Sequence, residues 1–385
     1  MNALSPIARP RLFVASGIFH PEPGGPATYL RELLPELQAR GWDIRALTFS
    51  DSAEARGEPY QVTRIVRQSY PLRMTRYAAA ARPLLAWADL VYVHLLGLPL
   101  IGDRHAKRVI KIVGDLAWER AVRRGWIAPT EDIDAYQTRR YGLATNADRA
   151  RLAREARTYD GVIVPSEYLK RLVVGWGVLE DRVRVIYNAL PPDLTAPDIA
   201  QADARAQLSL PEGPLVLTVG RVLPWKGVDH LIAALVQAPD VHLAVAGDGP
   251  ALGAAQALAA SSDVGRRVHF LGRVARDQMP LYMKAADYVA LYSGYEGLSH
   301  TLLESLRVGT PVIASDKGGN PEVVQHGVNG LLVPYVNVDA LAAALHEAFT
   351  PGRREALAAH HAAGMERFAY SRLIDQTDAA LRGYL

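Results

Sequence analysis

The chain has 385 residues, of which 49% are hydrophobic and 22% charged, with a formal net charge of +3. That length suits two or three domains with sizeable cores, and the composition is that of an ordinary globular protein, not a disordered one. No cysteine is present, which excludes a disulfide scaffold, a thiolate nucleophile and cysteine-ligated zinc, and fits a reducing, cytoplasmic compartment.

The first apolar run, RLFVASGI, begins at Arg11. Basic residues precede it, as in a secretory leader, but no small-x-small cleavage site follows, and we read a first strand. Gly24 and Gly25 come next, just ahead of a helix. Glycines let a backbone approach a ligand, and free amides at a helix start favour an anion; a plain turn is the alternative. The helix, ATYLRELLPELQARG, places Leu30, Leu33, Leu34 and Leu37 on one face and stops at Gly41. Pro35 inside it is a candidate kink.

DIRALTF, DLVYVHLL, RVIKIVG, GVIVPS and RVRVIYN read as further strands. They are rich in Val and Ile and apolar on both sides, as buried parallel strands are. The longest membrane-span candidate, VYVHLLGLPLIG, is short and broken by His94, Gly97 and Pro99. Asp115 follows the RVIKIVG strand, either as a plain helix cap or as a functional acid. In AWERAVRRGW, Trp118 and Trp126 suit core or lid packing, sugar stacking or a membrane contact. Residues 1–190 carry 28 Lys and Arg against 20 Asp and Glu, while residues 191–385 carry 15 against 20. The basic first half suits an anionic ligand or peripheral contact with an inner membrane face, unless its arginines are only a solvated surface.

After the Pro-rich YNALPPDLTAPD the alternation restarts. GPLVLTVGRV, VHLAVAGDGP, RVHFLGRV, DYVALYS, GTPVIASD and GLLVP read as strands, with helical segments between them. The chain is therefore expected to be α/β, two doubly wound domains joined near residues 190–200. We place them at 1–192 and 193–365, with a helix at 366–385 packing back on the first half. Ligands of such sheets bind outside the carboxyl ends of the strands, so the loops there carry the chemistry.

In VGRVLPWKGVDHL, Arg221 and Lys226 could neutralise a diphosphate. No Walker loop occurs, and GDGP lacks the full G-x-G-x-x-G, so it reads as a structural turn and a nicotinamide oxidoreductase is disfavoured. The loop GYEGLSH and the helix TLLESLRVG hold Glu296 and Glu304, eight apart. A carboxylate suits a vicinal diol, so one acid could hold a ribose and the other a sugar. The bland readings are a solvated Glu296 and a capping box between Thr301 and Glu304.

Gly24-Gly25, VGRVLPWKG, GDGP, the Glu296–Glu304 pair and GTPVIASDKGGNPEVVQHGVNGLLV, in this order, resemble the retaining glycosyltransferases of the GT-B fold, family 4. The resemblance covers most of the chain. It implies two Rossmann-like domains facing each other across a cleft that closes on the donor. The first would bind the acceptor (a glycan, a lipid-linked group or a small molecule) and the second the nucleotide-sugar donor. Arg221 and Lys226 would bind the donor diphosphate and stabilise its departure. Glu304 would hold the ribose, and Glu296 with Gly297, Leu298 and Ser299 the transferred sugar. Gly24 and Gly25 would lie near the diphosphate, and Arg273 and Val274 near the base. Asp115 stands where relatives often carry histidine, near the donor sugar and acceptor, and would help catalysis or bind the sugar. The implied reaction is sugar transfer to an acceptor hydroxyl in glycan, polysaccharide or glycolipid biosynthesis, with no cofactor, no metal and no nucleic acid. A sugar-nucleotide epimerase or a non-catalytic nucleotide-sugar-binding protein would keep the same residues.

Overall fold

The structure, a computed structural model, describes residues 9–22, 24–52, 54 and 57–385. Among these, the Val- and Ile-rich runs form two all-parallel sheets with apolar clusters on both faces. The first contains β1 (Arg11–Ala15), β2 (Asp43–Ser50), β3 (Gln61–Val66), β4 (Leu90–Val93), β5 (Lys107–Lys111), β6 (Gly161–Val164) and β7 (Val183–Val185). Their spatial order is β3-β2-β1-β4-β5-β6-β7. The second contains β8 (Leu215–Val219), β9 (His242–Ala246), β10 (Val268–Gly272), β11 (Tyr288–Leu291), β12 (Val312–Ser315) and β13 (Gly330–Val333), ordered β10-β9-β8-β11-β12-β13.

Both orders reverse direction once. β1 pairs with β2 on one side, Arg11 against Asp43, and with β4 on the other, Leu12 against Leu90. β8 likewise pairs with β9 and with β11, Val216 against Tyr288 on the latter side. At such a switch point the loops leave in opposite directions and open a crevice beyond the strand ends. The segment after β5 meets the loops after β8 and β11, with Trp118 on Trp225 and the Asp115 amide on the Tyr295 hydroxyl.

The sequence reading missed one strand, β3. Its residues, QVTRIV, include three polar side chains and no apolar run longer than two, and it lies at the sheet edge, where Arg64 is the one buried residue of its six. It lacks the continuous apolar run that marks the inner strands. The first helix, Gly25–Ala39, runs through Pro35 without ending. It stops through Gly41, where the Gly41 amide donates to Gln38 O and the Trp42 amide to Leu37 O. That double closure requires the left-handed backbone glycine allows.

The last helix, Tyr370–Arg382, lies on the first sheet's side of the molecule. Leu373, Ile374, Ala380 and Leu381 join the core around Leu30, Leu33, Leu34 and Leu37. Trp42 Nε1 donates to Asp378 Oδ1 at 2.7 Å, and Arg40 pairs with Asp375 at 2.5 Å.

The halves also meet along the cleft floor. Trp118, 1% exposed, packs edge-on against Trp225 and Tyr295 of the second half, with ring centroids 5.4 and 5.6 Å away. Of the readings open for Trp118, its place is core. Trp126 is partly exposed, with the Arg124 guanidinium 4.8 Å from its ring. Lys317 Nζ reaches Asp132 Oδ2 at 2.6 Å, and the Glu322 carboxylate accepts from the amides of Glu167 and Tyr168 at 2.9 and 2.8 Å.

Candidate active site

The loop after β8 is pressed against the loop after β11. A side chain on Gly227 would meet the Tyr292 carbonyl oxygen at 2.0 Å, and its φ is +66°, so glycine alone suits that contact. This approach puts Lys226 beside the next loop's acid, with Nζ 2.5 Å from Glu296 Oε1. Arg221 is exposed and makes no ion pair among the described residues. Its loop is held from behind by GDGP. The Val222 amide donates to Asp248 O and the Ala251 amide to Val222 O, each at 3.0 Å. That turn is a buttress for the Arg221 backbone. Asp248 also pairs with Arg273, 3.1 Å away, which leaves Arg273 largely in solvent. Val274 is half-buried against the second half's core.

The helix His300–Val308 starts from Ser299, whose hydroxyl accepts from the Leu302 amide at 3.4 Å. The cap is therefore Ser299, and the alternative of a Thr301–Glu304 capping box is not formed. Glu304 accepts no hydrogen bond from a described residue, and burial pushes its carboxyl up to about 7, opposed by Arg276 and reinforced by Glu32. It is a half-buried acid without a partner. Arg276 crosses to the first half, 3.2 Å from both Thr28 Oγ1 and Glu32 Oε1.

Gly297 lies where the halves touch. A Cβ there would sit 2.2 Å from the Val113 carbonyl oxygen. Leu298 is buried beside it. Two residues on from Val113, the Asp115 amide donates to the Tyr295 hydroxyl at 2.9 Å. Gly24 and Gly25, both exposed, begin the first helix, and Pro26 behind them lines the cleft wall.

Asp115 is the N-cap of the helix Leu116–Arg123. Its Oδ1 accepts from the Ala117 and Trp118 amides at 3.0 Å, and its Oδ2 from Gln137 Nε2 at 2.9 Å. Both oxygens are thus engaged within the protein, and the residue is 2% exposed. Of the two roles open for Asp115, the geometry gives it the cap. The acid from this segment that faces the cleft is Glu119, one helical turn further on. Glu119 lines the wall with Gly114 and Leu116, and its carboxyl is raised by burial, opposed by Arg123 and Lys226 and reinforced by Asp115 and Glu296. The sequence reading passed over it. The available signal was its place four residues after a cap, on a helix leaving the carboxyl end of β5.

Among the described residues no group of three His, Asp or Glu is placed to hold a metal ion.

A family model described as glycosyl transferases group 1 matches residues 200–360, and one described as glycosyltransferase family 4 matches residues 23–194. A GDP-mannose-dependent alpha-(1-6)-phosphatidylinositol monomannoside mannosyltransferase of Mycobacterium tuberculosis is 36% identical over 193 residues, 46% of this chain and 50% of the relative. The chain spans about half the length of the curated relatives it matches. A sucrose-phosphate synthase structure from Thermosynechococcus elongatus superposes with a TM-score of 0.78 at 24% identity, covering 97% of this chain and 99% of that one. The Anabaena protein HepE, in complex with UDP and glucose, gives 0.75 at 21% identity, with 97% and 99% covered. At these identities the two structures bear on the fold alone.

Proposed function

The chain belongs to the family-4 glycosyltransferases and has their GT-B fold, and from that premise we propose that it transfers a sugar, with retention and without a metal ion, from a nucleoside-diphosphate sugar to an acceptor hydroxyl. The observation that carries this reading is the set of side chains at the β8 and β11 ends: Arg221 exposed, Lys226 on Glu296, and Glu304 half-buried without a partner.

In this reading Arg221 and Lys226 take up the charge that grows on the departing diphosphate. Lys226, already held by Glu296, needs little reorganisation at that moment. Glu304 accepts from the ribose hydroxyls, and Glu296 accepts from hydroxyls of the transferred sugar. The acceptor oxygen forms its bond to the sugar carbon on the face from which the diphosphate leaves. Its proton passes to the departing phosphate oxygen, so no protein base is consumed.

GDP-mannose, named for the mycobacterial relative, and UDP-glucose, found with the Anabaena neighbour, are the first donors to test. The acceptor is assigned to the first half, whose excess of basic residues suits an anionic acceptor or an anionic membrane face. Among the described residues no helix is long and apolar enough to cross a membrane.

The test is a thermal-shift panel of UDP-, GDP- and ADP-sugars, in which a specific ligand raises apparent stability, followed by product analysis. A shift with one nucleotide series and transfer to an added acceptor is the expected result. No shift with any of them would overturn the reading, and so would an altered free sugar formed without acceptor.

A further inference from the structure

A cavity of about 260 Å³ opens on the first half's side of the cleft, lined by Pro26, His94, Lys111, Gly114 and Glu119 among others. All its lining residues come from the first half. Lys111 ends β5 and is 3% exposed, yet its Nζ has no hydrogen-bond partner. Among the described residues, the contact that favours its charge is the face of the Tyr29 ring, with Nζ 3.6 Å from the centroid. His94, just beyond β4, is 6% exposed and its Nε2 is equally without a partner. Two buried nitrogen groups on neighbouring strands thus line one cavity without a hydrogen-bond partner among the described residues.

An ammonium buried without an anion is costly unless something arrives to pair with it. Burial accordingly holds Lys111 well below the usual lysine range. Lysine binds phosphate as a mobile point charge, and an imidazole can add a second donor to another oxygen of the same group. Neither Arg221 nor Lys226 is available for this task in the proposed reaction, since both belong to the donor diphosphate on the second half. Glu119, on the same cavity wall, feels Lys226 and Glu296, so the cavity joins the reacting centre.

We propose that this cavity binds a phosphate group carried by the acceptor, with Lys111 and His94 as its donors and the acceptor hydroxyl directed toward Glu119. The proposal rests on the glycosyltransferase reading for the word acceptor; the phosphate site itself does not. The phosphate can belong to a soluble sugar phosphate or to a phospholipid headgroup.

The test is calorimetric titration of the full chain with glucose 6-phosphate and with glucose, and flotation with phosphatidylinositol or phosphatidylcholine vesicles, each with and without saturating UDP. The expected result is binding of glucose 6-phosphate but not glucose, or of phosphatidylinositol but not phosphatidylcholine vesicles. The first outcome assigns a soluble ester and the second a lipid. Lys111→Met should weaken that binding at least tenfold and leave UDP affinity within threefold. The variant removes an unpaired buried charge, so it should fold, and Lys111→Arg should retain part of the binding. Equal binding by the wild type and Lys111→Met would overturn the proposal, as would no binding of any phosphate probe. A tenfold loss of UDP affinity in Lys111→Met would also overturn it, by putting the lysine on the donor. Failure of UDP, GDP and ADP to bind, with Lys111-dependent binding of glucose 6-phosphate intact, would instead sink only the glycosyltransferase reading.

Discussion

Lys226 and Glu296 hold each other across two loops, Nζ to Oε1, 2.5 Å apart, with side chains 22% and 14% exposed. The cation assigned to the diphosphate and the carboxylate assigned to the sugar are thus one preformed unit. Lys226→Ala is expected to lower turnover on the order of 10²–10³-fold, the usual cost of removing one preorganised transition-state donor. Glu296→Gln keeps the shape but loses the charge that orients Lys226, so it too should lose turnover, and the double variant should lose less than the product of the two. Steady-state rates of the three variants decide it. Near-normal turnover in Lys226→Ala would remove Lys226 from the mechanism.

If Arg221 and Lys226 supply the neutralising charge, the reaction needs no divalent ion. Turnover measured after EDTA treatment should stay within about twofold of the untreated enzyme. Loss of activity that Mg²⁺ or Mn²⁺ restores would show that the two side chains are not enough.

The strands were legible because most are buried on both faces, and so read as apolar runs; β3 was not, because this edge strand is half polar and only partly buried. The loops after β8 and β11 were legible because each carries a glycine-bearing turn. The geometry of the caps was not. Ser299, not Thr301, starts the helix that carries Glu304: hydroxylic residues two apart can each serve as a cap, and the T-x-x-E spacing favours the one the backbone does not use. Asp115 and Glu119 lie on one helix start, and only the backbone decides which is tied to amides and which looks into the cleft. Lys111 reads as an ordinary polar end of a strand, and its lack of a partner is visible only once Tyr29 and His94 stand beside it.

Glu304 should make donor binding depend on pH. Its carboxyl lies near 7 in the folded chain against an ordinary 4.5. Between those values the unfolded chain holds fewer protons than the folded one, so Glu304 costs stability as pH rises through that window. Ribose hydroxyls are better received by the ionised form, so the affinity for an intact sugar nucleotide should rise over the same window and level off above 7. Glu304→Gln should bind weakly and without that slope, while becoming relatively more stable at pH 8 than at pH 4.5. Titrations at several pH values check the first point and thermal melts the second. An unchanged slope in Glu304→Gln would assign the pH dependence elsewhere.

Gly297→Ala should force the halves apart where they touch. The new methyl would lie 2.2 Å from the Val113 carbonyl, a backbone atom that cannot swing aside. Overpacking of this kind costs about 1–3 kcal/mol. It also shifts the loop that carries Glu296, so turnover should fall at least tenfold. Denaturant unfolding and steady-state rates check both. Wild-type stability together with wild-type turnover would mean that the contact is not kept in solution.

Glu119 is an acid of the first half on the cleft wall, near enough to Lys226 and Glu296 for their charges to bear on its own. Asp115, by contrast, has both oxygens occupied by the Ala117 and Trp118 amides and Gln137. Two variants therefore separate structure from chemistry. Asp115→Asn can still accept at its cap but sets its amide NH₂ against that of Gln137, so it should cost about 1–3 kcal/mol of stability and leave turnover within a few-fold. Glu119→Gln removes a charge that can steady positive charge developing on the sugar or align the acceptor hydroxyl. It should lower turnover at least tenfold with donor affinity within threefold, and it should not lower the melting temperature, because relief of a buried charge offsets any lost contact. The opposite pattern, an inactive Asp115→Asn and an active Glu119→Gln, would return the functional role to the cap residue.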